Sequence, residues 1–324
     1  MSATPEGMLH IRLAWDGAAI RAANITPRRL LDPIRLVRGQ PPQQAAQALP
    51  LLYSLCGKAQ GVAAQLALAA AQGDASAATP QQAREVAAEA LRESAWHFLI
   101  DLPRHFGLPP DPHGLAQLRK DPAAGMPWDE LYARSGMASL PESGAENQGE
   151  DGVPRLPDFD ERQIIEEILP ALLREPDFAV YPHWRGGAAE TGAAARRGEA
   201  GRGALARLRM RHEELPRLAA ALRDDAEAMR LGWIKHARVG ENAGLAWLQT
   251  SRGLLLHYAR LENGAVEDYR IVAPTEWNFH PRGAYARELA GQPAATPDEA
   301  RRRAELLLLA FDPCVEYEIG IDHA

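Results

Sequence analysis

The segment Leu55-Cys56-Gly57-Lys58-Ala59-Gln60-Gly61 constrains this chain more than any other stretch. It places one of only two cysteines directly before an alanine-rich run of helical composition. The other cysteine, Cys314, follows Asp312-Pro313 near the opposite end of the 324 residues. A deprotonated thiol is a strong ligand for soft metal ions, so the two cysteines predict a metal site. They can share one site only if the whole fold brings the two ends of the chain together.

Composition supports a folded core and argues against a nucleic-acid surface. Hydrophobic residues make up 46% of the chain, and the net charge is −7 with a pI near 5.8. An acidic balance is unfavourable for contact with phosphate backbones, so no nucleic-acid partner is expected. The length suits one large domain or two ordinary ones.

The sequence shows no sign of a membrane or export segment. No apolar run reaches the ~18 residues that a membrane-spanning helix needs. The stretch from Met1 to Gly17 lacks the basic start and apolar centre of a secretion signal. We therefore expect a cytoplasmic protein without membrane insertion, in which the two cysteines do not form a structural disulfide.

Two hairpins and several helices can be predicted from local patterns. Residues 8–14 alternate like a half-buried strand, and Asp16-Gly17 is a hairpin turn. Asn263-Gly264 predicts a second hairpin between strands 254–260 and 266–272, with a further strand at 245–250. Helices are predicted over 60–72, from Thr79 to about Phe106, over 159–174 and 204–230, and from Thr296 to the residues before Asp312. Residues 140–157 and 186–203 are predicted to be flexible loops.

Six segments together resemble the large subunit of nickel–iron hydrogenases. They are Glu6-Gly7-Met8-Leu9-His10-Ile11, Ser54 to Ala63, Ser94-Ala95-Trp96-His97-Phe98, Ser251 to His257, Val272-Ala273-Pro274-Thr275-Glu276-Trp277-Asn278 and Asp312-Pro313-Cys314. None is specific alone, but all six occur in the order of that family. The resemblance implies a truncated, helix-dominated α+β version of that fold, with small antiparallel sheets, as a single domain over 1–324.

The departures from that family concern its metal ligands. Ala59 and Tyr317 stand where the family has its second and fourth cysteines, and Ala63 and Gly320 stand where it has histidines. The resemblance therefore implies no nickel–iron cluster, no nickel and no hydrogen turnover. With that histidine missing, no extension is expected to be cut from the C-terminus. The closer resemblance is to maturation proteins of the HupK/HoxV type, which look like truncated large subunits.

For the remaining residues, the resemblance implies places around an iron group that carries two cyanides and one carbon monoxide. Cys56 and Cys314 would bind the iron transiently, although each could also be a small buried hydrophobe. Arg252, Thr275 and Pro274 would line the pocket of the diatomic ligands. Glu6 matches a proton-passing glutamate and is otherwise a core hydrogen-bonder. Lys58 either lowers the thiol pKa or is a solvated lysine, and His323 is a candidate third ligand.

The resulting prediction is a non-catalytic scaffold for hydrogenase maturation. The partners implied by the resemblance are a HypC/HupF-type chaperone, a HypD-type assembly protein and the immature hydrogenase large subunit. Two alternatives stay open: a divergent hydrogenase subunit with a reduced metal site, and a metal-free mimic of the large subunit that binds the same chaperones.

Overall fold

A computed structural model describes residues 7–28, 32–121, 127–140, 152–198 and 202–324. Within these ranges, strands form two separate sheets. The strands are β1 Met8–Trp15, β2 Ile20–Arg28, β3 Ile234–Gly240, β4 Ala243–Gln249, β5 Leu254–Glu262, β6 Ala265–Val272 and β7 Glu316–His323. The first sheet has the order β2-β1-β7 and the second β3-β4-β5-β6.

Helices make up most of the remaining structure. They are α1 Pro33–Val37, α2 Pro42–Ala48, α3 Gly57–Ala71, α4 Pro80–Trp96, α5 Leu102–His105, α6 Pro112–Lys120, α7 Trp128–Arg134, α8 Glu161–Gln163, α9 Leu169–Arg174, α10 Ala193–Arg197, α11 Gly203–Ala221, α12 Asp225–Arg230, α13 Pro274–Asn278, α14 Ala284–Leu289 and α15 Pro297–Phe311. Short π-helical turns at His97–Asp101 and Ile164–Ile168 join α4 to α5 and α8 to α9. In the described ranges no helix is both long and apolar enough to cross a bilayer.

The second sheet is an antiparallel meander that is covered on both faces. Successive residues of a strand point to opposite faces. Accordingly, Ala246 and Leu248 pack into the cluster that contains α3, while Leu245 and Trp247 pack into the cluster on the other face. The predicted hairpin between β5 and β6 is present, and both turn residues have the positive φ that a tight hairpin requires: 51° at Asn263 and 79° at Gly264.

Helix α3 lies against β4 at a distance that only glycine permits. A Cβ built on Gly244 would fall 2.1 Å from the carbonyl oxygen of Ala67 and 2.6 Å from the backbone nitrogen of Ala71. The alanine-rich sequence of α3 therefore serves close packing, because small side chains let its backbone approach the sheet. This contact fixes where the first turn of α3 begins, immediately after Cys56.

The first sheet holds the end of the chain next to its beginning. Strands β1 and β2 form the predicted antiparallel hairpin. Strand β7 pairs with β1 in parallel, from Met8 opposite Glu316 to Trp15 opposite His323. The sequence analysis anticipated only antiparallel pairs and did not predict this strand, because β7 is mostly exposed and lacks clear alternation.

The helix predictions were right in position but less so in detail. Helix α4 starts with the expected capping box, in which Thr79 and Gln82 bond each other's backbone. The predicted helix 204–230 is two helices, α11 and α12, with a break at 222–224. The predicted loop 186–203 contains α10, whose alanines are buried. Most of the other predicted loop, 141–151, lies outside the described residues, and the flexibility of both segments stays a prediction.

Candidate metal centre

Cys56 is the residue that precedes α3, and a buried carboxylate holds the start of this helix. The oxygens of Glu89, on α4, accept hydrogen bonds from the backbone nitrogens of Lys58 at 2.7 Å and Ala59 at 3.0 Å. These amides have no partner inside the helix, so Glu89 serves as its N-terminal cap from a neighbouring element. Burial raises the pKa of Glu89 despite these bonds.

Cys314 lies in the short link between α15 and β7. Asp312 ends the helix in a left-handed conformation, with φ of 52°. Its carboxylate accepts a bond from Arg211 at 2.6 Å and lies 3.2 Å from Nε of Arg252. The same Nε donates to the backbone oxygen of Asp312 at 2.9 Å. The Asp-Pro-Cys segment is therefore held by two buried arginines.

The charges around this link are strongly coupled. Burial alone would raise the pKa of Asp312, but Arg252 and Arg211 outweigh it and hold that pKa below its usual range. Burial alone would lower the pKa of Arg252, but Asp312 and Glu93 raise it instead. Glu93 accepts a bond from Nη2 of Arg252 at 3.1 Å. Arg252 is therefore a permanently charged guanidinium, 7% exposed, beside the cysteines.

The structure brings the thiols of Cys56 and Cys314 into hydrogen-bonding contact. Both cysteines are free and buried, with 9% and 7% of their surface exposed. The bond to Cys314, together with burial, raises the pKa of Cys56. The same bond lowers the pKa of Cys314 against the effect of burial, and the charge of Arg252 lowers it further. In the hydrogen bond between the two sulfurs, Cys56 is therefore favoured as the donor and Cys314 as the acceptor.

Thr275 supplies a second donor to the Cys314 sulfur. Its hydroxyl oxygen lies 3.2 Å from Sγ of Cys314 and accepts the backbone N–H of the same cysteine, also at 3.2 Å. Because the oxygen already accepts that N–H, the hydroxyl proton is available to the sulfur. Pro274 starts α13 and is buried, so its part is to set the position of Thr275.

Three other predicted residues have different outcomes. The side chain of Lys58 is exposed on the first turn of α3, and Arg252 is the cation that acts on Cys56. His323 packs against the ring of Trp15 at the far end of β7, about seven strand residues from the cysteine pair, so it is not a third ligand. Glu6 lies outside the described residues.

The two thiols are the whole set of metal ligands that can be identified here. Across the described ranges, no group of three or more His, Cys, Asp or Glu side chains is placed to hold a metal ion. Ala59 and Ala63 are fully buried in the hydrophobic cluster around α3. Two thiolates do not complete a tetrahedral site. The pair therefore suits a metal that arrives with other ligands already bound.

A groove of about 710 Å³ lies beside the cysteine pair. Its lining includes Arg252 and Asp312, together with Leu55 and Pro313, the residues that directly precede the two cysteines. One wall comes from α4 to α6 and the other from α15 and Tyr317. The lining includes Trp96, which is 40% exposed, and His97, whose Nε2 is buried with no hydrogen-bond partner in the described part of the chain. A ligand of small-molecule size fits this volume.

The sequence analysis missed the polar residues behind the cysteines. Gln60 donates to Sγ of Cys56 at 3.6 Å and contacts His257, which in turn contacts Tyr269. The spacing of Cys56 and Gln60 was a usable signal, because residues four apart share a helix face. The row continues from Gln60 to His257 on β5 and Tyr269 on β6. No local sequence pattern predicts contacts between such distant elements.

The chain resembles known proteins along most of its length. The family model for nickel-dependent hydrogenases matches residues 181–317. The hydrogenase expression/formation protein HupK of Azotobacter vinelandii is 34% identical over 98% of this chain and 99% of its own length. The chain belongs to the family of HupK and HoxV hydrogenase expression/formation proteins. HoxV of Cupriavidus necator is 31% identical over 88% of this chain and 89% of its own.

Solved structures confirm the fold expected for this family. A chain of the Ni-Fe-Se hydrogenase from Desulfovibrio vulgaris Hildenborough matches with a TM-score of 0.65 at 16% identity, covering 93% of this chain and 94% of that one. The hydrogenase large-subunit-like fold is therefore retained. At this identity the match concerns the backbone, and the chemistry of the centre has to be argued from the side chains of this chain.

Proposed function

We propose that this chain is a non-catalytic scaffold in nickel–iron hydrogenase maturation. It would hold or pass on an iron group that carries two cyanides and one carbon monoxide, through Cys56 and Cys314. The observation that carries the proposal is the contact between these two buried thiols. Iron that already has strong-field diatomic ligands needs few protein ligands and accepts sulfur readily. A pair of thiols without a third ligand meets that need.

The surroundings of the pair suit such a cargo. Cyanide ligands accept hydrogen bonds, and Arg252 places a charged guanidinium beside the cysteines. The guanidinium has five donors. Its Nε and Nη2 are engaged by Asp312 and Glu93, whereas Nη1 bonds to nothing within the described ranges. Outer groups of this kind change metal affinity about 10–100-fold.

The same side chains argue against catalysis. A nickel–iron cluster in the hydrogenase family uses four cysteines, and this chain has two. Ala59 is fully buried in the apolar core, and Tyr317 is 43% exposed at the edge of the groove. Neither offers a metal ligand in place of a bridging sulfur. The proposal therefore includes iron without nickel, and no hydrogen turnover.

The groove is the part of the surface at which cargo would be exchanged. We infer a cytoplasmic setting in which a HypC/HupF-type chaperone or a HypD-type assembly protein delivers the iron group and the immature large subunit receives it. The names of the relatives, hydrogenase expression/formation proteins, support a place among the maturation machinery. A partner seated in the groove would contact Leu55 and Pro313, the residues that directly precede the two cysteines.

The decisive experiment is infrared spectroscopy of the protein, purified without oxygen from cells that make a nickel–iron hydrogenase. Carbonyl and cyanide stretching bands, together with iron but no nickel, would support the scaffold. Nickel with hydrogen-dependent dye reduction would identify a divergent hydrogenase instead. A protein that binds maturation partners but carries neither bands nor iron would be a metal-free mimic, and the proposal would fall.

A further inference from the structure

A buried row of three polar side chains extends behind Cys56. Nε2 of Gln60 donates to Sγ of Cys56 at 3.6 Å. Oε1 of Gln60 lies 2.7 Å from Nε2 of His257, and Nδ1 of His257 lies 2.6 Å from the hydroxyl of Tyr269. All three residues are at most 2% exposed. Burying polar groups in an apolar core costs free energy, so a buried row of this kind indicates a role that offsets the cost.

The directions of the hydrogen bonds in the row follow from the amide orientation of Gln60, whose NH₂ faces Cys56 and whose oxygen faces His257. Burial lowers the pKa of His257 to about 3, so the ring is neutral and carries one proton. The carbonyl oxygen of Gln60 can only accept, so Nε2 of His257 bears that proton and Nδ1 accepts. Burial also raises the pKa of Tyr269, whose hydroxyl keeps its proton and donates to Nδ1.

With its oxygen accepting from His257, the NH₂ group of Gln60 faces the sulfur of Cys56. The main chain of Gln60 is fixed next to the cysteine as well, since its amide donates to the carbonyl of Cys56 at 3.0 Å in the first turn of α3. Each bond from Tyr269 to Cys56 is thus donated in the same direction, toward the metal centre.

We propose that Gln60 is a positioning residue for the Cys56 sulfur, held in orientation by His257 and Tyr269. Its N–H stabilises negative charge on that sulfur when the sulfur binds a metal, because a donor to a charged acceptor makes a stronger bond. Only the identity of the metal rests on the proposed function. The effect of Gln60 applies to any soft cation bound by the two thiols.

Cadmium is a suitable probe because it prefers thiolates and its sulfur bonds absorb in the ultraviolet. Competition with a chelator measures its affinity for the metal-free protein. We expect Gln60→Leu, which keeps the volume and removes the donor, to weaken cadmium binding about 10–100-fold. The matched control is Gln65→Leu, on the exposed face of the same helix, which should leave the affinity unchanged.

Two further measurements separate positioning from mere packing. Nitrogen-15 NMR of the wild-type protein should show His257 as the neutral ring protonated at Nε2, whatever the variants do. In iron-loaded protein, Gln60→Leu should move the carbonyl band to lower frequency, because a sulfur without its donor gives more electron density to the iron. If Gln60→Leu does not fold, Gln60→Met, which has a similar length and no donor, takes its place and should weaken cadmium binding to the same extent.

Three results would overturn the inference: no cadmium bound by the wild type, unchanged affinity in a folded Gln60 variant, or a His257 ring protonated at Nδ1. A different result tests the proposed function. Wild-type protein that binds cadmium through both cysteines but never carries iron with diatomic ligands would refute the iron scaffold and leave the role of Gln60 intact.

Discussion

The two sulfurs of the centre lie in opposite electrostatic surroundings. The Cys314 side, formed by Arg252, Asp312 and Thr275, is charged. On the Cys56 side, the row of Gln60, His257 and Tyr269 carries no cation, and the nearby charge is the carboxylate of Glu89 at the start of α3. The charged side favours a thiolate, whereas the other side supplies an oriented donor without net charge. Two chemically identical residues thus differ because of what the fold places behind each.

The largest expected effect comes from removing either sulfur. Cys314→Ala and Cys56→Ala each remove one of the two proposed iron ligands, so each variant should lose bound iron and lower hydrogenase maturation. Metal analysis and hydrogenase activity in the host measure both. Alanine is tolerated in a buried position of this size, so the fold should survive. Unchanged iron in both variants would rule out these ligands.

Next in size is the loss of the cation on the Cys314 side. Arg252→Gln leaves the buried carboxylates of Asp312 and Glu93 with less compensation, and breaking such a buried pair costs about 3–5 kcal/mol. Urea denaturation at neutral pH measures the free energy of unfolding. Arg252→Lys, which keeps the charge but not the fork of donors, should lie between wild type and Arg252→Gln. A loss of under ~1 kcal/mol would mean that the ion pairs are not needed.

The Cys56 side should be the first to respond to acid. His257 is neutral in the fold with a pKa of about 3, whereas an unfolded histidine has a pKa near 6.5. Below pH ~6.5 the unfolded chain therefore binds a proton that the folded one refuses, and stability falls as the pH drops toward 3. Asp312 stays charged in this range, since its pKa is held low.

At pH 5 this difference corresponds to ~2 kcal/mol lost relative to neutral pH. His257→Gln cannot take up that proton, so its stability should change less between pH 7 and pH 5. Denaturation curves of both proteins at the two pH values test this. Parallel losses in the two proteins would show that His257 is not held neutral.

A smaller effect is expected at the hydroxyl on the Cys314 side. Thr275→Val keeps the shape, removes the donor to the sulfur and leaves the N–H of Cys314 without its acceptor, which costs about 1–3 kcal/mol. Thr275→Ser keeps the hydroxyl and serves as the control. Titration followed by thiolate absorbance should also show a higher pKa for the cysteine pair in Thr275→Val. A titration identical to that of the wild type would show that the Thr275 hydroxyl does not act on the cysteines.

The smallest effect is expected at Lys58. Its side chain is exposed, so Lys58→Ala should change the free energy of unfolding by no more than about 0.5 kcal/mol and leave iron content as it is. A marked fall in iron would show that this ammonium acts on Cys56 after all, and would add a cation to that side of the centre.

Much of the fold could be predicted because its signals are local. Asn263-Gly264 predicts a hairpin, because a tight turn needs residues that accept a positive φ. Thr79 with Gln82 predicts the start of α4, because the two form a capping box. Strand β7 could not be found in this way. It exists because β1 offers a free edge, and a parallel partner is chosen by tertiary packing rather than by its own alternation.

The residues of the centre also fall into those that local motifs predict and those that only the fold brings together. The cysteines, Arg252 and Thr275 were found through motifs quoted from a resemblance. Gln60, His257 and Glu89 were not assigned to it, because their importance lies in partners on distant elements. Glu89 is a clear example: on α4 it is one acidic residue among several, and only the packing of two helices turns it into the cap of α3.

The two cysteines are attached to different sheets. Cys56 moves with α3 and the meander, while Cys314 moves with β7 and the outer hairpin. The gap between the sulfurs therefore reports how those layers are stacked. Arg252 and Thr275, which follow strands of the meander, bind the Cys314 segment as well. Because elements from both sheets bear on the pair, a chain that is only partly folded has no two-sulfur site.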